Sequence, residues 1–308
     1  MSVQKYQMLT ILGPTASGKT AVAAHSAQML DGEVLSADSR QVYRGMDLGT
    51  GKDLADYILD GRQIPYHLID IVDAGYEYNV FEYQSDFLKA YEDVRARGKF
   101  PVLCGGSGLY LEAVLKNYKL IQVPPNQELR EKLAPKDLEE LTEVLRSYKT
   151  DLHNTVDLET KRRAIRAIEI EDYMVEHPEI DRTLPEINSL VVGVKFDRLS
   201  RRKRITERLK QRLDEGMLDE VQALLDNGLK PEQLIYYGLE YKYLTLHLIG
   251  ELTFDKMFQG LETAIHQFAK RQMTWFRRME RQGTNIHWLD GYMLLSEKLE
   301  RISDWLKK

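Results

Sequence analysis

Short apolar runs alternate with helical patterns along the first third of the chain. Residues 6–12 form an apolar run that ends at a Gly-Pro pair, and Lys19–Met29 after it has a helical pattern. Further apolar runs predict strands over residues 33–37, 67–72, 100–104 and 190–196. Residues 80–97 have a helical pattern that stops at Gly98, a residue common just past helix ends. Strands that alternate with helices predict an α/β fold with a parallel sheet flanked by helices.

The strand pattern stops in the middle of the chain and returns later. From about residue 120 to residue 184 strand signals are missing, and helix formers dominate after Pro124 and Pro125. The predicted strand over 190–196 follows, and residues 199–308 are again mostly helical in pattern. We therefore predict a core made of residues 1–119 and 186–308, with residues 120–185 as a small all-helical insertion domain.

Composition is that of an ordinary globular protein: of 308 residues, 43% are hydrophobic and 30% are charged. Because no run of 18 apolar residues occurs and the N-terminus lacks the parts of a signal peptide, we expect no membrane partner. The single cysteine, Cys104, excludes an internal disulfide and fits a reducing compartment. It ends an apolar run, so we interpret it as a buried structural thiol. We expect a cytoplasmic monomer.

Basic residues are clustered, although the formal net charge of −5 is not the global signature of a nucleic-acid binder. Residues 198–212 contain eight Lys or Arg against one acid, Glu207. Two further clusters comprise Lys161, Arg162, Arg163 and Arg166, and Lys270, Arg271, Arg277, Arg278 and Arg281. Solvated helix faces explain any one cluster by itself, whereas cations that line one face can bind a phosphate backbone.

The segment between the first strand and the first helix reads GPTASGKT, residues 13–20, and matches the phosphate-loop pattern G-x-x-x-x-G-K-[ST]. In such a P-loop-type core the backbone wraps an anion with its N–H groups pointing inward, and the helix dipole adds positive potential. We expect Lys19 to reach the outer phosphate and the Thr20 hydroxyl to hold Mg²⁺. The predicted phosphate-binding set is Gly13, Thr15, Ala16, Ser17, Gly18, Lys19 and Thr20. The pattern does not say what the phosphates are attached to.

Three acidic residues lie in or directly after predicted strands. Asp38 lies at the carboxyl end of the second strand, where open parallel sheets place ligands, although a helix N-cap is an equally good interpretation. In a kinase or NTPase, an acid at the end of an apolar strand supports the metal, and Asp70 or Asp73 would be the candidate. The phosphate loop alone does not choose between these chemistries.

Several longer motifs resemble the tRNA dimethylallyltransferase family. They include the phosphate loop, SADSRQVYRGMDLGTGK from Ser36 and PVLCGGSGLYL from Pro101. RRAIRAIEI from Arg162, RITERL with DEGMLDEV after Arg204, and AKRQMTWFR from Ala269 follow in the family's order. Together the motifs span about residues 9–278, nearly the whole chain.

The resemblance implies a chemistry that suits the residues. The exocyclic amine of adenine is a poor nucleophile, and the family assigns to Asp38 the role of the base that takes the amine proton. The leaving group is pyrophosphate, whose charge Lys19, Mg²⁺ near Thr20 and the loop amides would stabilise. The family's pyrophosphate-contacting arginine matches Arg208. The resemblance thus implies that the loop binds dimethylallyl diphosphate and that no nucleotide is hydrolysed.

The acceptor implied by the resemblance is the N6 amine of the adenosine at position 37, next to the anticodon in the anticodon stem-loop of tRNA. That base must leave its stack to reach a buried carboxylate, so base flipping is expected. By resemblance, the residues that contact the RNA are Asp38, Ser39, Arg40, Gln41, Ser107, Arg130, Arg162, Arg163, Arg166 and Arg271. The Gln41 amide would read the edge of the base. Trp275 shares a helical face with Arg271, and core packing is at least as good an interpretation for it.

The chain departs from the family pattern at a few places. Ser107 stands where Thr is usual, which keeps the hydroxyl. Gly-Thr-Ala-Lys-Pro becomes Gly-Thr-Gly-Lys-Asp over residues 49–53, and Ile-Gly-Tyr-Lys-Glu becomes Tyr-Gly-Leu-Glu-Tyr over 237–241. Ile265 and His266 replace Thr-Arg, which removes one cation. We expect these departures to spare the diphosphate site and to fall in segments that meet the RNA.

Three other functions compete with this hypothesis. An adenylate dimethylallyltransferase acting on free AMP, ADP or ATP would not need the basic clusters or the insertion. A P-loop kinase or NTPase gives no reason for the motifs DSRQVYRGMD and AKRQMTWFR. A non-catalytic RNA-binding relative gives no reason for the retention of Lys19, Thr20, Asp38 and Arg208. The sequence therefore favours a tRNA-modifying prenyl transferase.

Overall fold

A computed structural model describes residues 5–148, 160–178 and 185–308. The chain divides into two compact units, of which the larger comprises Met1–Tyr118 and Glu186–Lys308 and the smaller Lys119–Pro185. Within the described ranges, no helix is both long enough and apolar enough to cross a membrane.

The larger unit is built on a parallel sheet of six strands. The strands of the chain are β1 Met8–Leu12, β2 Gly32–Ala37, β3 Ile58–Leu59, β4 Arg62–Gln63, β5 Tyr66–His67, β6 Phe100–Gly105, β7 Ser189–Lys195 and β8 Ile286–Asp290. The order in the main sheet is β5-β2-β6-β1-β7-β8, and each neighbouring pair is parallel. β3 and β4 form a separate antiparallel hairpin. The predicted α/β fold is confirmed.

Helices cover both faces of this sheet. The larger unit contains α1 Lys19–Met29, α2 Val80–Ala96, α3 Gly108–Leu115, α7 Arg198–Asp214, α8 Met217–Asp226, α9 Pro231–Tyr236, α10 Leu239–Leu248, α11 Phe254–Arg281 and α12 Leu295–Lys307. Alternate residues of β1 face opposite sides, as a strand requires. Met8 and Leu12 belong to one hydrophobic cluster, together with Phe276 of α11, whereas Leu9 and Ile11 belong to another. Parallel strands buried on both faces explain why their sequences are apolar runs.

The start and end of α2 follow from local chemistry. Asn79 Oδ1 accepts the N–H groups of Phe81 at 3.0 Å and of Glu82 at 3.1 Å, while the Glu82 carboxylate accepts the Asn79 N–H at 3.1 Å. This reciprocal capping satisfies amides that have no partner inside the helix. The helix ends before Gly98, whose φ of 73° continues the chain in a left-handed turn. The helix predicted over 80–97 is therefore confirmed.

Two sequence expectations about the sheet are wrong. The strand predicted over 67–72 is reduced to Tyr66–His67, because Leu68 and Asp70 adopt left-handed φ angles of 64° and 56° that break the extended backbone. Val72 forms only an isolated bridge to Tyr43. β8 was missed inside a region interpreted as helical, because a five-residue run with His and Asp carries too little periodicity to be recognised.

The described part of the smaller unit consists of helices, without a strand: α4 Gln127–Leu133, α5 Leu138–Tyr148 and α6 Lys161–Glu176. These helices bury a core of their own, which comprises Leu133, Leu141, Leu145, Ala164 and Ile168. Asn126 caps α4 by accepting the Leu129 N–H at 3.0 Å, and Thr160 caps α6.

An ion pair between Glu33 and Arg97 joins the beginning of β2 to the end of α2. The side chain of Glu33 is only 4% exposed, and its Oε2 lies 2.7 Å from Arg97 Nη2 and 2.6 Å from His67 Nε2. Hydrogen bonds from Arg97 hold the pKa of Glu33 below its ordinary value of 4.5, against the burial that raises it. Because β2 carries Asp38 at its other end, this contact anchors the strand that delivers the predicted base.

We predict that Glu33→Gln lowers stability and flattens its dependence on pH. The lowered pKa means that the carboxylate stabilises the fold above pH 4.5, and that this contribution is lost as the pH falls through the lower folded value. At pH 7 the free energy of unfolding should fall by about 1–2 kcal/mol, since the Arg97 side chain is 43% exposed. Urea unfolding of both proteins between about pH 3 and pH 7 measures this.

The matched control is Asp93→Asn, which removes the other carboxylate that Arg97 contacts, at 2.8 Å, but one whose side chain is 61% exposed. We expect a change below about 0.5 kcal/mol for that variant. Parallel pH profiles for wild type and Glu33→Gln would contradict the assignment of the acid-sensitive contribution to Glu33.

Candidate active site

The phosphate loop, residues 13–20, connects β1 to α1 in a tightly curved backbone. Ala16 and Gly18 have left-handed φ angles of 61° and 76°. A Cβ at Gly13 would lie 2.6 Å from Ser17 Oγ and 2.7 Å from the Val194 carbonyl oxygen, so close packing explains the first glycine of the motif. At the last glycine the positive φ is the reason. The Ser17 hydroxyl is buried without a hydrogen-bond partner among the described residues.

Two long helices from the second half of the chain, α7 and α11, form hydrogen bonds with this loop. The Thr15 N–H donates to Gln272 Oε1 of α11 at 2.8 Å, and Gln272 Nε2 donates to the Gly106 carbonyl at 2.9 Å. Arg204 Nε of α7 donates to the Ala16 carbonyl at 3.0 Å. Sequence reasoning missed Gln272, although it lies within the AKRQMTWFR motif. Its one amide joins the phosphate loop to the loop after β6.

Lys19 lies where the predicted catalytic residues meet. Burial lowers its pKa, and the charge of Arg208 lowers it further, whereas the charges of Asp38 and Asp53 raise it. The charges of Asp38 and of Arg208 therefore both act on Lys19. Behind Lys19, burial raises the pKa of the Cys104 thiol to about 12, as expected for a structural cysteine rather than a nucleophile.

Asp38 directly follows β2, and its side chain forms a hydrogen bond within the turn that comes next. Its Oδ1 accepts the N–H of Arg40 at 3.0 Å, while its Oδ2 has no hydrogen bond to any described residue. Residues 39–42 form a turn and start no helix, so the helix N-cap interpretation of Asp38 is wrong. The turn orients the carboxylate and leaves one oxygen available to a ligand.

The neighbours of Asp38 form a connected polar surface. The Ser39 N–H donates to Ser107 Oγ at 3.1 Å, which joins the turn after β2 to the start of α3. Arg40 Nη2 donates to the Tyr236 carbonyl at 3.2 Å. Both ends of the Gln41 amide are engaged: Oε1 accepts from Ser36 Oγ at 3.0 Å, and Nε2 donates to the Gly51 carbonyl at 3.0 Å. These two bonds fix the orientation of the Gln41 amide, which keeps a second N–H donor on Nε2 and a second lone pair on Oε1.

A pocket opens beside the phosphate loop. Its space of about 300 Å³ includes open solvent, and five apolar and three charged side chains line it beside Thr15. The lining residues are Thr15, Ala16, Ile205, Arg208, Leu209, Arg212, Met217, Glu240 and Ile265. Burial lowers the pKa of Arg208 and raises that of Glu240. The pocket thus places the cations of Arg208 and Arg212 beside apolar side chains.

Asp53 contacts both arginines of this pocket. Its Oδ2 pairs with Arg208 Nη2, and its Oδ1 lies 3.0 Å from Arg212 Nη2. Glu240 and Ile265 line the same pocket. All three residues lie at positions where the chain departs from the family pattern. The expectation that the departures spare the predicted diphosphate site is therefore wrong, because residues distant in sequence converge there.

The loop that carries Asp53 is held by two side chains that sequence reasoning missed. Glu220 of α8 accepts the N–H groups of Asp47, Leu48 and Gly49 at 2.8, 2.7 and 3.0 Å. The buried Lys52 Nζ donates to the Tyr43 carbonyl at 2.7 Å and pairs with Asp47 and Asp70.

The two acids considered as metal supports are engaged elsewhere. Asp70 pairs with Lys52, and Asp73 lies 2.8 Å from Arg44. Both therefore serve in structural ion pairs, and the feature that suggested a kinase or NTPase has another explanation.

The predicted RNA contacts of the smaller unit fall into two groups. Arg130 and Arg166 are both paired to the buried Glu169, at 2.7 and 3.0 Å. Arg162 and Arg163 are exposed in the first turn of α6. The first group is tied into the fold of the unit, and the second lies at its surface.

On α11 the predicted helical face is also divided. Arg271 is exposed, with its guanidinium 5.9 Å from the ring of Phe268. Trp275 packs on Gly108, where a Cβ would lie 2.3 Å from the indole, and Arg278 stacks on it at 4.0 Å. Trp275 therefore packs between elements, and Arg271 is the predicted RNA contact that remains at the surface of this helix.

Known proteins resemble this chain along its whole length. A tRNA dimethylallyltransferase 2 of Bacteroides fragilis strain YCH46 is 63% identical over 308 residues, which cover 100% of both chains. A tRNA dimethylallyltransferase 1 of Parabacteroides distasonis is 61% identical over 298 residues, or 96% of each chain. The solved structure of the full-length tRNA isopentenylpyrophosphate transferase of Bacillus halodurans is 31% identical and matches 98% of this chain and 95% of its own, with a TM-score of 0.72.

A family model described as IPP transferase matches residues 41–279, which is more than half of the chain. The match begins at Gln41, after the phosphate loop and Asp38, and includes the arginines of α7 and the motif on α11. The chain therefore belongs to the IPP transferase family.

Proposed function

We propose that the protein transfers a dimethylallyl group from dimethylallyl diphosphate to the N6 amine of adenosine 37 in tRNA and releases diphosphate. The observation that carries the proposal is that the phosphate loop with Lys19 and the turn of Asp38 start at the same edge of the sheet, while Arg208 lines the pocket beside that loop. The names of the relatives at 63% and 61% identity support the same reaction. The proposal includes a monomer in the cytoplasm, where a reduced Cys104 is normal.

The phosphate loop would bind the diphosphate of the donor. As the bond between the dimethylallyl carbon and the diphosphate oxygen breaks, negative charge grows on the leaving group. The loop amides, Lys19 and Arg208 are fixed by the fold before the substrate arrives, so they stabilise that charge without rearranging. An apolar wall beside the loop, with Ile205, Leu209 and Ile265, suits a substrate whose remaining part is hydrocarbon.

Thr20 would hold Mg²⁺ together with oxygens of the diphosphate. The donor set fits this arrangement, since Mg²⁺ is usually bound by few protein ligands plus substrate phosphates. Across the described ranges no group of three or more His, Cys, Asp or Glu could hold a metal ion. Held by Thr20 and the diphosphate, Mg²⁺ would supply positive charge against the charge of the leaving group.

Asp38 would act as the general base. The amine proton of adenine passes to the carboxylate while the nitrogen forms its bond to the dimethylallyl carbon. Oδ1 is held by the Arg40 N–H at 3.0 Å, which fixes the direction of the carboxylate, and Oδ2 is the oxygen left for the proton. The adenine must leave its stack in the RNA to reach this position.

RNA contacts would come from the surface around Asp38 and from exposed cations. Ser39, Arg40 and Ser107 lie beside Asp38, whereas Arg162, Arg163 and Arg271 are exposed helix residues suited to phosphates. Arg130 and Arg166 would contribute through the guanidinium edges that Glu169 does not occupy. A free adenylate needs none of these exposed cations, which is why tRNA is the preferred acceptor.

The proposal predicts a dimethylallyl adduct on tRNA. The purified protein is incubated with dimethylallyl diphosphate, Mg²⁺ and unmodified tRNA that carries adenine at position 37, with AMP as a parallel acceptor. Mass spectrometry of the digested nucleosides should show the adduct on the tRNA adenosine alone. Transfer to AMP alone would identify an adenylate transferase instead, and ATP hydrolysis without transfer would contradict prenyl-transfer chemistry altogether.

Asp38→Ala should reduce turnover by roughly 10²–10⁴-fold, because general-base catalysis is lost. Filter binding of tRNA should change much less, since Asp38 supplies one of many contacts. The matched control is Asp73→Asn, an acid after β5 whose side chain is 83% exposed and whose partner is Arg44. Its turnover should equal that of wild type, and unchanged turnover in Asp38→Ala would remove Asp38 from the role of base.

Removal of Mg²⁺ should abolish transfer. Chelation with EDTA should stop the reaction, and Mg²⁺ added in excess should restore it, because the leaving group loses its counter-charge without the ion. Thr20→Val keeps the shape of the side chain and removes the hydroxyl, so the Mg²⁺ concentration for half-maximal rate should rise several-fold. An unchanged Mg²⁺ requirement in Thr20→Val would show that the ion is held without this residue.

A further inference from the structure

One carboxylate lies between two arginines at the mouth of the phosphate loop. Arg208 and Arg212 lie one helical turn apart on α7, and Asp53 contacts both through different oxygens. The exposed fractions of the Arg208 and Arg212 side chains are only 27% and 11%. Asp53 begins a short 3-10 turn over Leu54–Tyr57 without capping it by its side chain. The carboxylate therefore contacts the two arginines and does not cap the turn that it precedes.

The backbone that carries Asp53 is rigidly held. Gly51 has a φ of 66°, and a Cβ there would lie 2.1 Å from Arg212 Nη2, so the loop is shaped around that guanidinium. The N–H groups of Gly51 and Lys52 donate to the Asp47 carbonyl at 2.9 and 3.2 Å. The buried Lys52 side chain fixes the same segment. Asp53 is thus a fixed point from which a side chain on α7 can be oriented.

Asp53 occupies only one corner of the Arg208 guanidinium. The contact is made by Nη2, and Nε and Nη1 of Arg208 have no hydrogen bond to any described residue. Arg208 also lines the pocket with Thr15 and Ala16 of the phosphate loop. A guanidinium has five N–H donors in a fixed plane, so holding one corner sets the direction of the others. The free donors remain for an anion at the loop.

Without neighbouring acids, the positive charges around Arg208 would not keep its side chain in this place. Its pKa is lowered by burial and then by the charge of Arg212, and only the charges of acids, with Asp53 first, oppose these effects. Lys19 adds a further positive charge nearby. Before an anion binds, repulsion among these cations would favour an Arg208 side chain turned away from the loop. Asp53 offsets that repulsion, and its second oxygen keeps it on Arg212 when the anion arrives.

We propose that Asp53 is a positioning residue, which with Arg212 fixes the Arg208 guanidinium at the phosphate loop for the diphosphate of the donor substrate. The proposal rests on the proposed function for the identity of that substrate. Its physical content is preorganisation: the cation is already in place, so binding does not include the cost of ordering a long side chain. Asp53 acts through Arg208 and touches no reacting atom.

Asp53→Ala should weaken diphosphate binding specifically. We expect the Kd of inorganic pyrophosphate in the presence of Mg²⁺, measured by isothermal titration calorimetry, to rise about tenfold. The KM for dimethylallyl diphosphate should rise by a similar factor, and kcat should fall because Arg208 also stabilises the leaving group, while the KM for tRNA changes less than about twofold. Asp53→Asn keeps one acceptor oxygen, replaces the other by an NH2 group that cannot accept, and removes the charge. It should show a smaller rise in the Kd and serves if the alanine variant does not fold.

The matched control is Asp56→Ala. Asp56 lies three residues further along the same segment, and its charge reaches Arg208 without a hydrogen bond to it. Its Kd for pyrophosphate should change by about twofold or less. An equal loss in Asp53→Ala and Asp56→Ala would overturn the proposal in favour of a general effect of negative charge.

A double-mutant cycle decides whether Asp53 acts through Arg208. In the Arg208→Ala background, Asp53→Ala should cause no further rise in the Kd of pyrophosphate. Multiplicative losses would overturn the proposal, as would tighter binding by Asp53→Ala, which would mark the carboxylate as a competitor of the anion. Pyrophosphate that fails to bind wild type would overturn it too.

The binding cycle needs no acceptor, so the two hypotheses fail separately. Coupling in the cycle without transfer to tRNA would leave the role of Asp53 standing and remove the proposed function. Transfer to tRNA without coupling in the cycle would leave the proposed function standing and overturn the role of Asp53.

Discussion

The register of the parallel sheet is the constraint on which the whole site depends. Leu12 at the end of β1 pairs with Gly105 of β6 and with Gly193 of β7, and Ala37 at the end of β2 pairs with Gly105 as well. The strands β1, β2 and β6 therefore stop at the same level. From that level start the phosphate loop, the turn of Asp38 and the loop before α3. A Cβ at Gly105 would lie 2.2 Å from the Ala37 carbonyl oxygen, so the approach of these strand ends requires glycine.

Helices from the second half of the chain complete what the strand ends begin. α7 supplies Arg204 and Arg208 to the phosphate loop and its pocket, and α11 supplies Gln272. α8 holds the segment before Asp53 through Glu220. The residues proposed to bind the diphosphate thus lie partly on the loop that follows β1 and partly on a helix distant in sequence.

Much of this arrangement could be predicted from the sequence because it is local. The phosphate loop is a contiguous segment, and the role of its glycines follows from their φ angles and close contacts. Asp38 was found because the end of a strand is a defined place in a parallel sheet. The strand predicted over 67–72 failed because Leu68 and Asp70 take left-handed conformations that composition does not signal. β8 was missed because it is short and its polar residues, His287 and Asp290, do not alternate with apolar ones.

The remaining part of the site could not be predicted because it depends on contacts between distant segments. Asp53 and Arg208 are separated by 155 residues, and Thr15 and Gln272 by 257. Nothing in the segment around Asp53 indicates that its side chain would meet α7. The departures from the family pattern at residues 53, 240 and 265 looked independent in sequence, yet they share one pocket. The residues that depart from the family pattern therefore lie at the pocket beside the phosphate loop.

The amide of Gln272 has a consequence for how this position can change over evolution. It accepts from one backbone N–H and donates to one backbone carbonyl, in loops that follow two different strands. Glutamate offers acceptors alone, lysine and arginine offer donors alone, and asparagine is shorter by one methylene group. Glutamine therefore matches both groups at this distance as few other side chains can. We expect drift in this protein to spare position 272 while the pocket a few ångströms away diversifies.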